Sequence, residues 1–286
     1  MLTFFQTDYP DLFQQKIQPI LERDEAANGL MLGVCQQLVD SQKSGRPSEY
    51  LSTPTMMWVE DAQGLVAAGL MTPPYSLTLY CEPLQKIASL KELIKHLNDL
   101  PLPGVIGKSY VVEVFAGLWR DQHGGTLKVN RNGRIYRITQ VLPIPFRPGY
   151  MRLAAQTDFD LVADWARQFD EEALGGEEGS AVVEHTRNRI ERNEVFLWED
   201  GLVTAMAVKN RSTQHGVSIG YVFTPADLRG RGYATALVST LSQYFLNNGA
   251  TFCTLMTDLD NPISNHIYQK MGYKPVCDIE EIYFQG

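Results

Sequence analysis

An α/β (α+β) fold is what the patterning of this chain predicts, because strand-like and helical apolar periods alternate along its whole length. Two further observations set its plan. The 286 residues, 44% hydrophobic and 20% charged, suit two soluble domains of ordinary size, each long enough to bury a core. Near the middle, Leu142-Pro143-Ile144-Pro145-Phe146-Arg147-Pro148-Gly149 is proline-rich, hence extended and stiff. The division expected is therefore residues 1–141, a linker at 142–149, and a second domain at 150–286.

In the first half, Pro10 to Leu21 and Gly29 to Val39 read as helices. Leu30, Met31, Val34, Leu38 and Val39 share one face of the second. Ser44 to Ser48 is a loop by composition. Met56 to Val59 and Leu65 to Met71 read as strands about the turn Glu60 to Gly64. Pro73-Pro74 breaks the run, and Tyr75 to Tyr80 alternates as another strand. Pro83 opens a helix with a buried face of Leu84, Ile87, Leu90, Leu93, Ile94 and Leu97. Pro101 to Gly107 is turn-rich around Val105-Ile106. Gly107-Lys108-Ser109 looks like the end of a P-loop, but Gly104 is too close for that spacing. Ser109 to Trp119 reads as a helix. Thr126 to Val129 and Arg134 to Val141 read as a hairpin turned at Asn130 to Gly133.

The second half opens with a short strand, Tyr150 to Leu153, and a helix whose stripe is Val162, Trp165, Ala166 and Phe169. Asp170 to Gly179 is an acidic loop, and Ser180 caps a helix to about Arg192. Val195 to Trp198 and Val203 to Lys209 form a hairpin, and Val217 to Phe223 is a buried strand. Pro225 stops that strand, since proline has no N–H for the ladder. A glycine loop leads into a helix on Ala234, Leu237, Val238, Leu241, Tyr244 and Phe245, ended by Gly249. Thr251 to Thr257 is a strand. Asn261 caps the last helix with Pro262 at its first position, and Lys274 to Cys277 with Glu281 to Phe284 complete the sheet.

The segment Tyr221 to Ala234 organises the rest. Strand, glycine loop and helix together make an anion site, because the first N–H groups of a helix lack partners and carry the positive end of its dipole. Gly230 and Gly232 allow close approach of a ligand to the backbone. Arg229 and Arg231 add charge. The segment lacks the three glycines of a dinucleotide fingerprint and the Lys-Ser/Thr of a P-loop. An ordinary turn with surface arginines is the plainer alternative.

Arg229-Gly230-Arg231-Gly232-Tyr233-Ala234 resembles the phosphate-loop signature Gln/Arg-x-x-Gly-x-Gly/Ala of the GCN5-related N-acetyltransferases (GNAT). Asn261-Pro262-Ile263-Ser264-Asn265-His266-Ile267-Tyr268-Gln269-Lys270-Met271-Gly272-Tyr273 is similar to the later motif of that family. The two blocks stand in the family order about 30 residues apart, and the resemblance covers roughly residues 150–284. The first half approximates the same order of elements but has Cys81-Glu82-Pro83 where the loop would be, so the resemblance implies a tandem of two GNAT-like folds, each a mixed sheet flanked by helices, the first degenerate and unable to bind cofactor.

The resemblance implies acetyl-CoA as acyl donor, with no metal. The amides of Arg229, Gly230, Arg231, Gly232, Tyr233 and Ala234 would grip its diphosphate. Backbone groups at Val222, Phe223 and Thr224 would take the pantetheine arm and acetyl carbonyl, for which a bulged strand would expose them. Tyr268 falls at the position of a general acid for the departing thiolate, which a phenol of pKa near 10 can serve. Otherwise it is a packing tyrosine. Asn261 contacts cofactor or only caps its helix.

The acceptor expected is an amine of a small molecule, attacking the thioester directly. The base is not evident: Glu171, Glu172, His215, Asp258 and a water chain all stay open. Glu171 and Glu172 could instead hold a cationic substrate, or be solvated surface. His185 and His266 read as ordinary helix or surface residues. The alternative to an N-acetyltransferase is a non-catalytic acyl-CoA-binding or regulatory protein.

The formal net charge of -8 argues against nucleic-acid and anionic-membrane partners and is compatible with a cationic substrate. Cys35, Cys81, Cys253 and Cys277 form no C-x-x-C pair, so no disulfide framework or zinc site is expected. The first residues lack a signal peptide pattern, and cytoplasmic location is the expectation, as monomer or homodimer. Glu280 to Gly286 fit a tag-removing protease pattern, so Gln285-Gly286 carry no functional weight.

Overall fold

The computed structural model describes all residues except 46–52, 82–86, 98, 99, 174 and 177–180, and leaves out the side chain of Ile263. The expectations for Pro83, Leu84 and Ser180 lie outside the described residues, as does part of each loop at Ser44 to Ser48 and Asp170 to Gly179.

The first half runs β1 (Thr3–Thr7), α1 (Pro10–Leu21), α2 (Gly29–Ser44), β2 (Thr55–Asp61), β3 (Gly64–Met71), β4 (Leu77–Cys81), α3 (Ile87–Lys95), β5 (Gly104–Lys108), α4 (Ser109–His123) and β6 (Thr126–Ile138). The second half repeats that order. It runs β7 (Tyr150–Leu153), α5 (Phe159–Ala173), α6 (Ala181–Glu191), β8 (Val195–Asp200), β9 (Leu202–Ser212), β10 (Gly216–Phe223), α7 (Tyr233–Asn247), β11 (Phe252–Asp258), α8 (Pro262–Lys270) and β12 (Lys274–Gln285).

Two units result. One holds Met1–Ile135, Thr257–Asp260 and Val276–Gly286; the other holds Tyr136–Met256 and Asn261–Pro275. In the first, β1 to β4 pair antiparallel in sequence, β4 and β5 pair parallel, and β12 pairs antiparallel with β5. In the second, β7 to β10 pair antiparallel and β10 pairs parallel with β11.

Within each unit the strands are covered on both faces, which explains why the central ones read as unbroken apolar runs. Successive residues point to opposite faces. Met57 and Val59 pack with Leu90, Leu93 and Phe115 of α3 and α4, while Met56 and Trp58 pack with Phe13, Ile17 and Leu38 of α1 and α2. In the second unit Phe196, Trp198, Ala205 and Ala207 meet Leu237, Val238 and Leu241 of α7. Leu197, Met206 and Val208 meet Val162, Trp165 and Ile190 of α5 and α6. Leu237 is fully buried at the centre of the α7 side. Leu237→Ala is expected to destabilise the protein by about 2–5 kcal/mol, the cost of a large-to-small core change. Chemical denaturation of the two proteins checks it.

Two expectations are corrected. The last strand does not complete the second sheet as two pieces; β12 is one strand, and its Ile279 to Tyr283 lie opposite Lys108 to Gly104 of the first unit. Residues 126–141 do not form a hairpin. Asn130 Nδ2–H donates to Glu281 Oε2 at 2.9 Å, the Arg131 guanidinium is ion-paired with the same carboxylate at 3.1 Å, and Arg134 forks onto Asp278, so side chains across to β12 hold β6 straight through its expected turn. Residues 142–149 fall within the second unit. The second unit already begins at Tyr136, which is 1% exposed in its core. The proline segment is a strap on that unit. Leu142 N–H donates to the Met271 carbonyl, and Trp198 Nε1–H donates to the Pro148 carbonyl, each at 2.9 Å.

Candidate functional site

β10 is where the second sheet departs from regularity. Gly220 lies opposite Val208 and Phe223 opposite Met206, so β10 carries one extra residue between these pairs. Tyr221 occupies the interval with φ +48°. That conformation costs a non-glycine residue roughly 1–2 kcal/mol. Contacts hold it there: the Phe169 ring lies 4.7 Å from the Tyr221 ring, and the Arg189 guanidinium lies 4.2 Å over it. The bulge also turns the strand over. Ile219 joins the α7 side of the core, whereas Tyr221 and Phe223 join the α5–α6 side.

The other edge of β10 opens. Its ladder with β11 runs only through Gly216, Val217 and Ser218, paired with Phe252, Cys253 and Thr254. Beyond Ser218 the backbone of β10 has no strand partner on that edge among the described residues. Val222, Phe223 and Thr224 stand there, and Thr224 Oγ1 is buried without a hydrogen-bond partner among the described residues.

The glycine loop follows at once. Leu228 N–H donates to the Pro225 carbonyl at 2.9 Å, closing a single 3-10 turn over Ala226–Leu228. Gly230 and Gly232 then take φ +74° and +82°, which only glycine adopts freely. α7 starts at Tyr233 with Gly232 as its cap residue; no side chain caps it and its first turn has no acid. Its first intrahelical bond is Ala236 N–H to the Gly232 carbonyl at 3.0 Å. The amides of Tyr233, Ala234 and Thr235 precede it, so they have no helical acceptor. A phosphate suits such an end.

The arginines of the loop divide their work. Arg229 donates from Nε to the Thr224 carbonyl at 2.8 Å and pairs through Nη2 with Glu172 at 2.7 Å. Its guanidinium also lies 5.6 Å from the Phe223 ring centroid. Arg229 thus braces the loop against its own strand. Arg231 bonds the Asp227 carbonyl at 3.1 Å and is exposed.

Tyr268 packs on the core cluster that contains Ile219, Leu237 and Leu255 and that Val222 also packs against, so the phenol belongs to the same layer as the open strand. Its ring meets Tyr273 edge-on at 5.9 Å, and Tyr273 in turn shares a hydrogen bond of 2.8 Å with Ser242. Burial pushes the Tyr268 hydroxyl up to about 12, since a charged phenolate there would lose its hydration.

Asn261 Oδ1 accepts the Ser264 N–H at 3.0 Å and so caps α8. Glu171 pairs with Arg167 at 2.8 Å, and both Glu171 and Glu172 are exposed. His215 is exposed in the β9–β10 turn, where its carbonyl accepts two bonds from Thr251. Asp258 falls in the first unit, where its Oδ1 accepts the Asp260 N–H at 2.8 Å. Arg229 thus ties Glu172 to Thr224 and Phe223, and Val222 and Tyr268 pack against one core cluster, while Glu171 pairs with Arg167 on its own helix, His215 lies in the β9–β10 turn and Asp258 accepts from Asp260. Sequence reasoning missed Arg147, whose side chain lies over Gly232. It also missed the left-handed Tyr221, which no local pattern announces.

Among the described residues no three His, Cys, Asp or Glu side chains gather as a metal site, and no helix is long and apolar enough to cross a membrane.

Residues 146–273 match the model of the acetyltransferase (GNAT) family. Residues 146–273 thus carry the likeness of a GNAT acetyltransferase domain. Solved structures extend the likeness of fold to nearly the whole chain. A GCN5-related N-acetyltransferase from Sphaerobacter thermophilus is 16% identical with a TM-score of 0.62, covering 99% of this chain and 95% of the other. A Drosophila protein is 13% identical with a TM-score of 0.69, covering 98% of each. A tandem GNAT protein from the clavulanic acid biosynthesis pathway is 11% identical with a TM-score of 0.52, covering 99% and 98%. No curated protein sequence matches the chain.

Proposed function

We propose that this protein is an acetyl-CoA-dependent N-acetyltransferase, in which an amine of a small molecule attacks the thioester directly. The observation that carries the proposal is the uncapped start of α7, set directly after a strand whose outer edge is open at Val222 to Thr224. An extended thioester carrier lies along such an edge by backbone hydrogen bonds while its diphosphate takes the amides of Arg229 to Ala234. A backbone N–H on the open edge polarises the acyl carbonyl, and the carbonyl oxygen gains charge as the amine attacks. Tyr268 hands its proton to the sulfur as the carbon–sulfur bond breaks.

The amine, with pKa near 10, must lose a proton before attack. Glu171 and Glu172 are held in ion pairs with Arg167 and Arg229. We therefore assign the proton's exit to water. Glu172 acts on the loop through Arg229, not on the acceptor.

Only the second half carries the glycine loop; the first has Cys81-Glu82-Pro83 at the matching place. Titration calorimetry with acetyl-CoA is expected to give one site per chain. Two equal sites would contradict the degenerate first half, and none would overturn the function. Thiol release over a panel of small amines then separates an enzyme from an acyl-CoA-binding regulator: binding without release for any amine would favour the regulator.

A further inference from the structure

The strap at 142–149 is pinned at both ends. At one end Leu142 bonds to the Met271 carbonyl, and at the other Trp198 bonds to the Pro148 carbonyl. Gly149, with φ +103°, packs so closely on the Glu199 carbonyl and the Trp198 indole that a side chain there would clash with both. Prolines 143, 145 and 148 stiffen the span between the pins. Arg147 is therefore delivered to one place, and that place is the loop. A Cβ built on Gly232 would stand 2.7 Å from Arg147 Nε and 3.4 Å from its Cζ and Nη2.

That position is unfavourable for a cation on its own. The start of α7 has no acid in its first turn and no side-chain cap, so it presents positive potential. Arg231 follows Gly230 in the same loop, and Arg229 is already neutralised by Glu172. Arg147 is exposed, and its side chain makes no ion pair or hydrogen bond among the described residues. Two like charges, a guanidinium and a helix start, thus lie side by side, and the carboxylate that reaches this end, Asp200, is taken by the Tyr233 hydroxyl at 3.1 Å. An anion between them reverses the sign of the interaction, and a guanidinium fork matches phosphate oxygens better than any other side chain.

We propose that Arg147 is a phosphate-binding residue of the donor site, supplied by the strap and standing in for the charge that Arg229 spends on Glu172. This rests on the proposed reading of the loop as the donor's diphosphate site. The strap thereby sets donor affinity from outside the glycine motif.

The test is calorimetry with coenzyme A on the full chain, beside kinetics with S-acetylpantetheine, which has the thioester but no phosphate. Arg147→Gln is expected to weaken coenzyme A binding about tenfold, the worth of one charge-assisted hydrogen bond. It should also flatten the dependence of affinity on salt, leave KM for acetylpantetheine unchanged, and leave the thermal midpoint where it was. Arg147→Lys should recover part of the loss. Unchanged or tighter binding by Arg147→Gln would overturn the proposal while leaving the function intact. Equal losses with both donors would overturn it too, since the strap would then act on the loop's shape and not on phosphate. If the unaltered protein binds no coenzyme A, the donor reading and this inference fall together.

Discussion

Tyr268→Phe is expected to lower kcat for acetyl transfer about a hundredfold, at the low end of what a positioned proton donor contributes, with no change in Kd for acetyl-CoA. The ring sits on the cluster of Ile219, Leu237 and Leu255 and against Tyr273, so Phe keeps the packing and removes only the hydroxyl. A loss shared between kcat and Kd would mean the hydroxyl holds the donor and is not the acid. The pH dependence follows from burial. The phenol is pushed up to about 12 from an ordinary 10, so it keeps its proton through the range in which an amine becomes nucleophilic. The rate is therefore expected to rise with pH as the amine deprotonates and to show no fall near 10. The same shift ties to stability. Because the folded-state value lies above the unfolded one, the contribution is whole below pH 10 and is lost as pH rises from 10 towards 12. Tyr268→Phe should flatten that alkaline loss in denaturation curves taken across the window. Tyr273, also raised by burial, keeps its own share.

What the sequence made legible was whatever lies close together along the chain. Tyr221 to Ala234 is one contiguous stretch, and its strand, loop and helix appear where the apolar periods and glycines put them. Asn261 as a cap was readable for the same reason, since its partner Ser264 is three residues on. Features made by distant residues were not readable. Nothing in Glu281 names Asn130 and Arg131 as partners, yet those contacts turn an expected hairpin into a straight strand. Asn130 to Gly133 is good turn chemistry locally, and a neighbouring strand overrode it. Proline content showed that 142–149 is stiff, but stiffness does not say whether a segment spans two units or is tied down along one. Here two hydrogen bonds decide it. The bulge at Tyr221 was invisible because tyrosine gives no sign of a left-handed backbone. Only the ring's capture between Phe169 and Arg189 explains why that strain is tolerated, and strain of this kind gathers at functional sites.

Gly232→Val is expected to weaken coenzyme A binding at least a hundredfold. The backbone at Gly232 has φ +82°, where a β-branched residue is strained by roughly 1–3 kcal/mol, and relief of that strain swings the following peptides. Those peptides carry the N–H groups of Tyr233 and Ala234 that the proposed site uses. Losing two charge-assisted bonds of about 1.5 kcal/mol each gives roughly 3 kcal/mol, or a factor of a hundred in Kd. A competing cause is steric, because the new side chain would press on Arg147, whose Nε lies 2.7 Å from the Cβ position. The two causes separate in the double variant. If contact with Arg147 were the source, Arg147→Ala would restore binding to Gly232→Val up to the level of Arg147→Ala alone. Backbone strain does not depend on that arginine, so the double variant is expected to bind at least as poorly as Gly232→Val. Gly230→Val supplies the control. Gly230 has φ +74° with nothing near its Cβ position, so only strain acts there, and a comparable loss of affinity is expected. Near-normal binding by both glycine variants would show that the amides at the start of α7 do not hold the diphosphate.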